Sequence, residues 1–316
     1  MMPPTVLMFS GQGSQYYQMG RELLDRDETF KRQMESLDQT AVSLLGTSVM
    51  EQLYASSRGI GDAFSDPPES NAALLMVEYA LTATLRERGI HPDLVLGASL
   101  GTFSAACVAD SIAPEDAVRL VIEQGQAVAQ GVPVGGMVAV LADPALQKDD
   151  AILHDHATLA GINAPEHFVL ATEQNDLDRV TQRLGELGVT YQVLNAARPF
   201  HTAAMDPVEA DCQAILRRYA FTTPQIPIVC CSLQLPVRAL GPAILWQAVR
   251  KPIEFATTIQ QLERLGPHRY IDAGPAGSLA AMLNNSDQLT EGSSVASTLS
   301  PFGRAQERLD EIATAA

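Results

Sequence analysis

"HPDLVLGASLGTFSAACVAD", residues 91–110, runs through an apolar stretch into a serine set between two glycines, then into a second apolar stretch. Gly97, Ser99 and Gly101 make the spacing G-x-S-x-G. Alone this is a weak signal, because at ordinary glycine and serine usage roughly one chain of this size in ten carries it by chance. Context strengthens it. "HPDLVLGAS" reads as a loop into a buried strand and "LGTFSAACVAD" as the helix leaving it, the order that a nucleophile elbow requires. The glycines keep the turn free of Cβ clashes and leave the Ser99 hydroxyl at the strand's end. The Leu100 amide, at the start of the helix, then faces the oxygen of an attacked carbonyl.

Working outward, the chain alternates strands and helices. "TVLMF" (5–9) is a strand ending in the polar turn "SGQGSQ" (10–15), and helix is expected over 16–27 and through 27–54. "SDPPES" punctuates the chain before the helix "NAALLMVEYALTATLRERG" (71–89), where Leu74, Leu75, Val77, Leu81 and Leu85 share one broad face. "PEDAVRLVIEQGQAVAQG" (114–131) opens on proline and two acids, as the helix dipole favours. A different rhythm begins near Val132. Strand (136–143), helix (144–156), strands (158–164 and 167–173), helix (176–188) and strand (190–195) follow in turn. That β-α-β-β-α-β order is the ferredoxin-like split unit. It predicts a small subdomain at 132–196 inserted in a larger α/β subdomain of 1–131 and 197–316. The large part resumes with strands at "IPIVCC" (226–231) and "HRYIDAG" (268–274).

The 316 residues are enough for a large and a small unit, and 46% hydrophobic with 18% charged residues describes an ordinary globular chain. A net charge of −16 leaves no basic stripe for phosphates, so nucleic acid is not an expected partner. "MMPPTVLMFSGQGS" has no basic stretch and only a short apolar run; neither a signal peptide nor a membrane span is expected, and a cytoplasmic location is. Cys107, Cys212, Cys230 and Cys231 show no C-x-x-C pair and no metal-ligand spacing with histidine. Reduced, buried thiols and no metal are expected.

A serine at neutral pH needs a base. Of the six histidines, His91, His154, His156, His167 and His268 lie in stretches that read as loop, helix surface or strand start. His201 differs, because "RPFHTAAM" (198–205) places it where the chain re-enters the large subdomain. "SGQGSQ" lacks the G-K-[ST] ending of a phosphate loop and the full G-x-G-x-x-G spacing. Its glycines instead allow the Gln12 amide to approach the elbow as a second oxyanion donor.

"FSGQGSQ", "GASLG", "GINAPEHFVLA", "RPFHTAAM", "KPIEF" and "YIDAGP" occur in this order between about residues 5 and 285. Together they resemble the malonyl-CoA:acyl-carrier-protein transacylase family, which includes the acyltransferase domains of polyketide and fatty-acid synthases. The resemblance implies an α/β-hydrolase-like core with a parallel sheet, carrying a ferredoxin-like subdomain. It implies Ser99 as nucleophile, His201 as general base, Gln12 and Leu100 as oxyanion donors, and Asn163 near the active site. The family's histidine is oriented by a backbone carbonyl, which the resemblance places near Ala248. No metal or nucleotide cofactor is implied, the acyl group being carried on the phosphopantetheine of a carrier protein.

Two positions depart from the family pattern. Ala98 stands where the family carries the histidine of G-H-S-x-G, freeing space that a water could occupy. In "LVIEQGQAV", Gln124 stands where malonyl-using members carry an arginine that forks onto the free carboxylate. A buried carboxylate without its partner costs about 3–5 kcal/mol, which is roughly two to three and a half decades of preference. Arg119, five residues earlier, lies about 140° further round the helix and does not substitute. The glutamine resembles the acyl hydrolase branch that accompanies trans-acyltransferase polyketide synthases. The expected activity is therefore hydrolysis of neutral acyl groups from carrier-protein thioesters, unblocking a polyketide synthase. The alternative is transfer of a non-malonyl acyl group between CoA or carrier proteins. A catalytically silent docking subunit is disfavoured, because it has no need of Ser99, His201 and the Gln12 turn together. Carrier domains are generally acidic, so docking on so acidic a chain calls for local basic residues such as Arg250 and Lys251, or Arg217 and Arg218.

Overall fold

In chain order the strands are Thr5–Phe9 (β1), Leu94–Gly97 (β2), Gly135–Leu141 (β3), Thr158–Ala164 (β4), His167–Glu173 (β5), Thr190–Val193 (β6), Ile228–Cys230 (β7), Leu235–Val237 (β8), Ile253–Glu254 (β9), Arg269–Asp272 (β10) and Ser294–Ser297 (β11). The structure, a computed structural model, describes residues 3–237 and 239–315. One sheet runs β11-β10-β1-β2-β7-β8 and is parallel apart from β8, which pairs antiparallel with β7. β1 is buried along its whole length, as a central parallel strand covered on both faces must be. Its side chains alternate. Leu7 and Phe9 join the large core, while Val6 and Met8 join a smaller cluster with Leu96, Val229, Phe255, Ile259 and Tyr270 on the opposite face.

Helices Glu28–Leu45, Pro67–Glu87, Gly101–Val108 and Pro114–Gly131 supply much of the large core. Pro67–Glu87 is buried over most of its length and starts on proline, so the "SDPPES" punctuation begins the helix rather than preceding it. The helix expected through 27–54 is split by Gly46, whose φ of 74° ends Glu28–Leu45 before Val49–Leu53 begins. Of 16–27, only Arg21–Arg26 is helical. The stretch 144–156 forms two short helices, Leu146–Asp149 and Ala151–His156, with Asp150 capping the second.

The second sheet runs β6-β3-β5-β4-β9. Its first four strands are mutually antiparallel and follow the ferredoxin-like order, with helices Ala151–His156 and Gln174–Glu186 packed against them around Val138, Phe168, Leu170, Val180 and Leu184. β9, a two-residue strand from beyond residue 197, adds parallel to β4 and was not anticipated, nor were β8 and β11. No described helix is long and apolar enough to cross a membrane.

Candidate active site

β2 ends at Gly97 and the following helix starts at Gly101, so the chain must reverse within three residues. It does so by placing Ser99 in the left-handed region at φ 55°. Two glycines let the first-strand turn press against this elbow. A Cβ on Gly101 would stand 2.1 Å from the Phe9 carbonyl oxygen, and one on Gly11 would stand 2.6 Å from Ser99 Cβ. The SGQG turn and the elbow are therefore packed backbone to backbone. Neither the Gln12 backbone N–H nor the Leu100 backbone N–H has an acceptor among the described residues, which leaves two N–H groups flanking the serine.

His201 is also left-handed, at φ 63°, and only 2% exposed. Its Nε2 lies 2.8 Å from Ser99 Oγ and its Nδ1 lies 2.7 Å from the Lys251 carbonyl oxygen. A carbonyl can only accept, so Nδ1 carries the proton and Nε2 presents its lone pair to the serine hydroxyl. Burial pushes the His201 pKa down to about 4, against a smaller upward pull from the Lys251 carbonyl. The ring is neutral at pH 7, the state that can take a proton from Ser99. The orienting carbonyl is thus Lys251 and not Ala248. The Ala248 carbonyl, three residues earlier, instead accepts from Ser232 Oγ at 3.3 Å.

The remaining candidates form no hydrogen bond with Ser99 or His201. Gln124 is 3% exposed on the Pro114–Gly131 helix, against the Cys212 thiol, and its Nε2 has no hydrogen-bond partner among the described residues. A chain of contacts runs from that helix back to the turn: Asn71 Nδ2 donates to the Val121 carbonyl, and Asn71 Oδ1 accepts from Gln12 Nε2. Asn163 is buried at an irregularity in β4, the extra residue between the pairs Ile162–Phe168 and Ala164–His167. Neither Gln124 nor Asn163 bonds Ser99 or His201. Ala98 is buried and belongs to the apolar cluster that includes Val6, Met8, Leu96 and Phe255.

Sequence reasoning missed Glu78. This buried acid accepts from the Ser10 backbone N–H at 2.8 Å and the Ser10 hydroxyl at 3.0 Å, under the turn that carries Gln12. A signal was present: Glu78 falls on the apolar stripe Leu74, Leu81, Leu85 at helical spacing, where an acid is out of place. Of the basic docking candidates, Arg250 pairs with Asp206 and Arg218 with Glu123, while Arg217 donates to Gln213. All four cysteines are buried and free. Among the described residues no group of three or more His, Cys, Asp or Glu side chains is placed to hold a metal ion.

Serine, neutral imidazole and two free amides at a strand-turn-helix elbow define a candidate acyl-transfer centre. The acyl transferase domain family model matches residues 6–312, and the chain belongs to that family. It is 37% identical over 312 residues to the polyketide biosynthesis acyltransferase homolog BaeD of Bacillus velezensis, covering 99% of this chain and 96% of the relative. Identity to the homolog PksD of Bacillus subtilis is 36% over 315 residues, with the same coverage. Among solved structures, it superposes on MCAT from Streptococcus pneumoniae with a TM-score of 0.79 at 26% identity, covering 99% of this chain and all of the other. A loading acyltransferase from the avermectin modular polyketide synthase shares the fold at a TM-score of 0.88, 23% identity and coverage of 98% and 99%.

Proposed function

We propose that the protein is an acyl hydrolase that removes neutral acyl groups from carrier-protein thioesters in polyketide biosynthesis. The observation that carries this is Gln124: a buried amide stands where carboxylate-binding members of the family place arginine. An amide offers one neutral donor beside an acceptor that repels a carboxylate oxygen, so the pocket favours acyl groups without a charge.

In the proposed reaction Ser99 Oγ attacks the thioester carbonyl carbon as His201 Nε2 takes its proton. The oxyanion of the tetrahedral intermediate is met by the Gln12 and Leu100 amides. The C–S bond breaks, and His201 returns the proton to the leaving phosphopantetheine thiolate, leaving the acyl group on Ser99. A water, deprotonated by His201, then attacks the ester and releases the free acid with the serine restored. The names of BaeD and PksD favour a second reading, in which a carrier or CoA thiol takes the place of that water.

The test is a panel of acetyl-, butyryl-, malonyl- and methylmalonyl-carrier thioesters, with free acid and transferred product both measured. Free acid from the neutral members, and malonyl hydrolysis slower by about two decades or more, is expected. Faster resolution of the trapped acyl-enzyme by holo carrier than by water establishes the second reading instead. A Gln124→Arg variant that gains no malonyl loading overturns the pocket argument.

A further inference from the structure

We propose that Glu78 is a positioning residue for the oxyanion hole, its protonated carboxyl tying the turn that carries the Gln12 amide to the helix that begins beside the Leu100 amide. The inference rests on the site assigned to Ser99 above. Those two amides come from separate parts of the chain, whose backbones are packed together at Gly11 and Gly101. Glu78, on the Pro67–Glu87 helix, lies beneath both segments and meets Ser10 of the turn and Ser104 of the elbow helix. Its Oε1 accepts both the backbone N–H and the hydroxyl of Ser10, two residues before Gln12. Ser10 Oγ lies 2.8 Å from Ser14 Oγ, which donates to the Gly11 carbonyl, so the whole turn is braced from below.

The other end of the carboxyl meets the elbow helix Gly101–Val108, where the Ser104 hydroxyl lies against it. Glu78 Oε2 and Ser104 Oγ are both buried, and neither has a hydrogen-bond partner among the described residues. Ser104 Oγ can donate to a carboxylate or accept from a carboxylic acid, so this contact serves either state. Glu78 is fully buried and faces no cation, which favours the neutral acid with its Oε2 proton directed at Ser104 Oγ. The carboxyl becomes a neutral bridge between the two donors' supports. Neutrality matters as well as geometry, because a buried anion beneath the turn would oppose the charge that develops on the substrate oxygen.

The surroundings keep the proton in place. Desolvation raises the Glu78 pKa to about 8, against downward pulls from Ser104 and Ser10. The charged group facing it is Asp272, at the end of β10, which adds to the rise. Asp272 accepts from the Gly274 and Ala280 amides and is itself pushed up to about 6 by burial. Asp272 keeps these amide bonds in Glu78→Gln, so that variant separates its ionisation from that of Glu78.

The experiment measures the second-order rate at which an alkyl fluorophosphonate labels Ser99, from about pH 5.5 to 9.5. The phosphonyl oxygen takes on charge in the same hole, so the readout does not depend on whether water or a thiol completes the natural reaction. Labelling of the wild type with none in Ser99→Ala establishes the site itself; its absence overturns the site and this inference with it. The wild-type rate is expected to fall as pH rises through about 8, in step with Glu78 ionisation. Glu78→Gln keeps an acceptor for Ser10 and a donor for Ser104, and is expected to label within about twofold of wild type at pH 7, without the alkaline fall. Glu78→Met removes both contacts and is expected to label at least about tenfold more slowly. An alkaline fall that persists in Glu78→Gln overturns the proposal, as does a wild-type rate in a folded Glu78→Met. Should the methionine variant fail to fold, the comparison of wild type with Glu78→Gln still decides.

Discussion

Ser99 and His201 hold φ angles of 55° and 63°, a region that costs a residue with a Cβ roughly 1–2 kcal/mol. In each case the strain is tied to what the side chain does. At Ser99 it turns the hydroxyl out of the elbow. At His201 the backbone N–H bonds the Val249 carbonyl while Nδ1 bonds the Lys251 carbonyl, so two acceptors two residues apart fix both backbone and ring. That fixation in a dry site has a consequence for pH. The proposed reaction needs neutral His201, and burial lowers its pKa to about 4. Lowering the pKa extends the neutral form downward in pH, so kcat/KM should be flat from about pH 5.5 to 7 and fall tenfold per unit only below about 4. A histidine at its ordinary value of 6.5 would already have lost about tenfold at pH 5.5. A pH–rate profile on a small neutral thioester distinguishes the two, and a midpoint near 6.5 would show that the ring is far better solvated than its burial implies.

At the scale of elements, the site exists because two strand ends are pressed together. Gly101→Ala would set a methyl 2.1 Å from the Phe9 carbonyl oxygen and 2.7 Å from that of Ser10, both backbone atoms of the central strand's end. Neither can move without disturbing β1, so a loss of about 3 kcal/mol is expected, read as a lowered melting temperature. Gly11→Ala meets Ser99 Cβ at 2.6 Å instead, at the edge of the turn, and should slow Ser99 labelling more than it lowers the melting temperature. Equal effects of the two on stability would show that the turn and the strand yield as one. The sequence pattern carried much of this arrangement. β1, β4 and β5 begin and end where the alternating and apolar runs do, and the elbow's glycines mark its position. β9 was illegible because two residues carry no periodicity, and its strand character comes from lying against β4. The Lys251 carbonyl was missed for a related reason: every residue has a carbonyl, so only the fold selects one. Glu78 was legible in principle, as an acid on an apolar stripe, but its partners Ser10 and Ser104 come from different elements and no spacing links them.

At the scale of the whole molecule, the net charge of −16 acts on any acidic partner before contact is made. Of the basic candidates that could offset it, Arg250 is paired with Asp206 and Arg218 with Glu123, while Arg217 and Lys251 are exposed without an ion pair among the described residues. Lys251 is the one whose own carbonyl holds His201, so a carrier docked there would stand close to the imidazole. Two opposing effects then compete. Long-range repulsion between acidic surfaces is screened by salt, whereas a local contact at Lys251 is weakened by it. With so large a net charge, repulsion should win. The rate on a carrier-bound neutral acyl thioester is expected to rise about two- to fivefold as ionic strength goes from roughly 0.02 to 0.2 M. The same acyl group on a small uncharged thiol should show no such change, which removes any effect of salt on the chemistry itself. A carrier-specific rate that falls with salt would mean that a basic patch governs the encounter, and Lys251→Glu should then abolish the dependence.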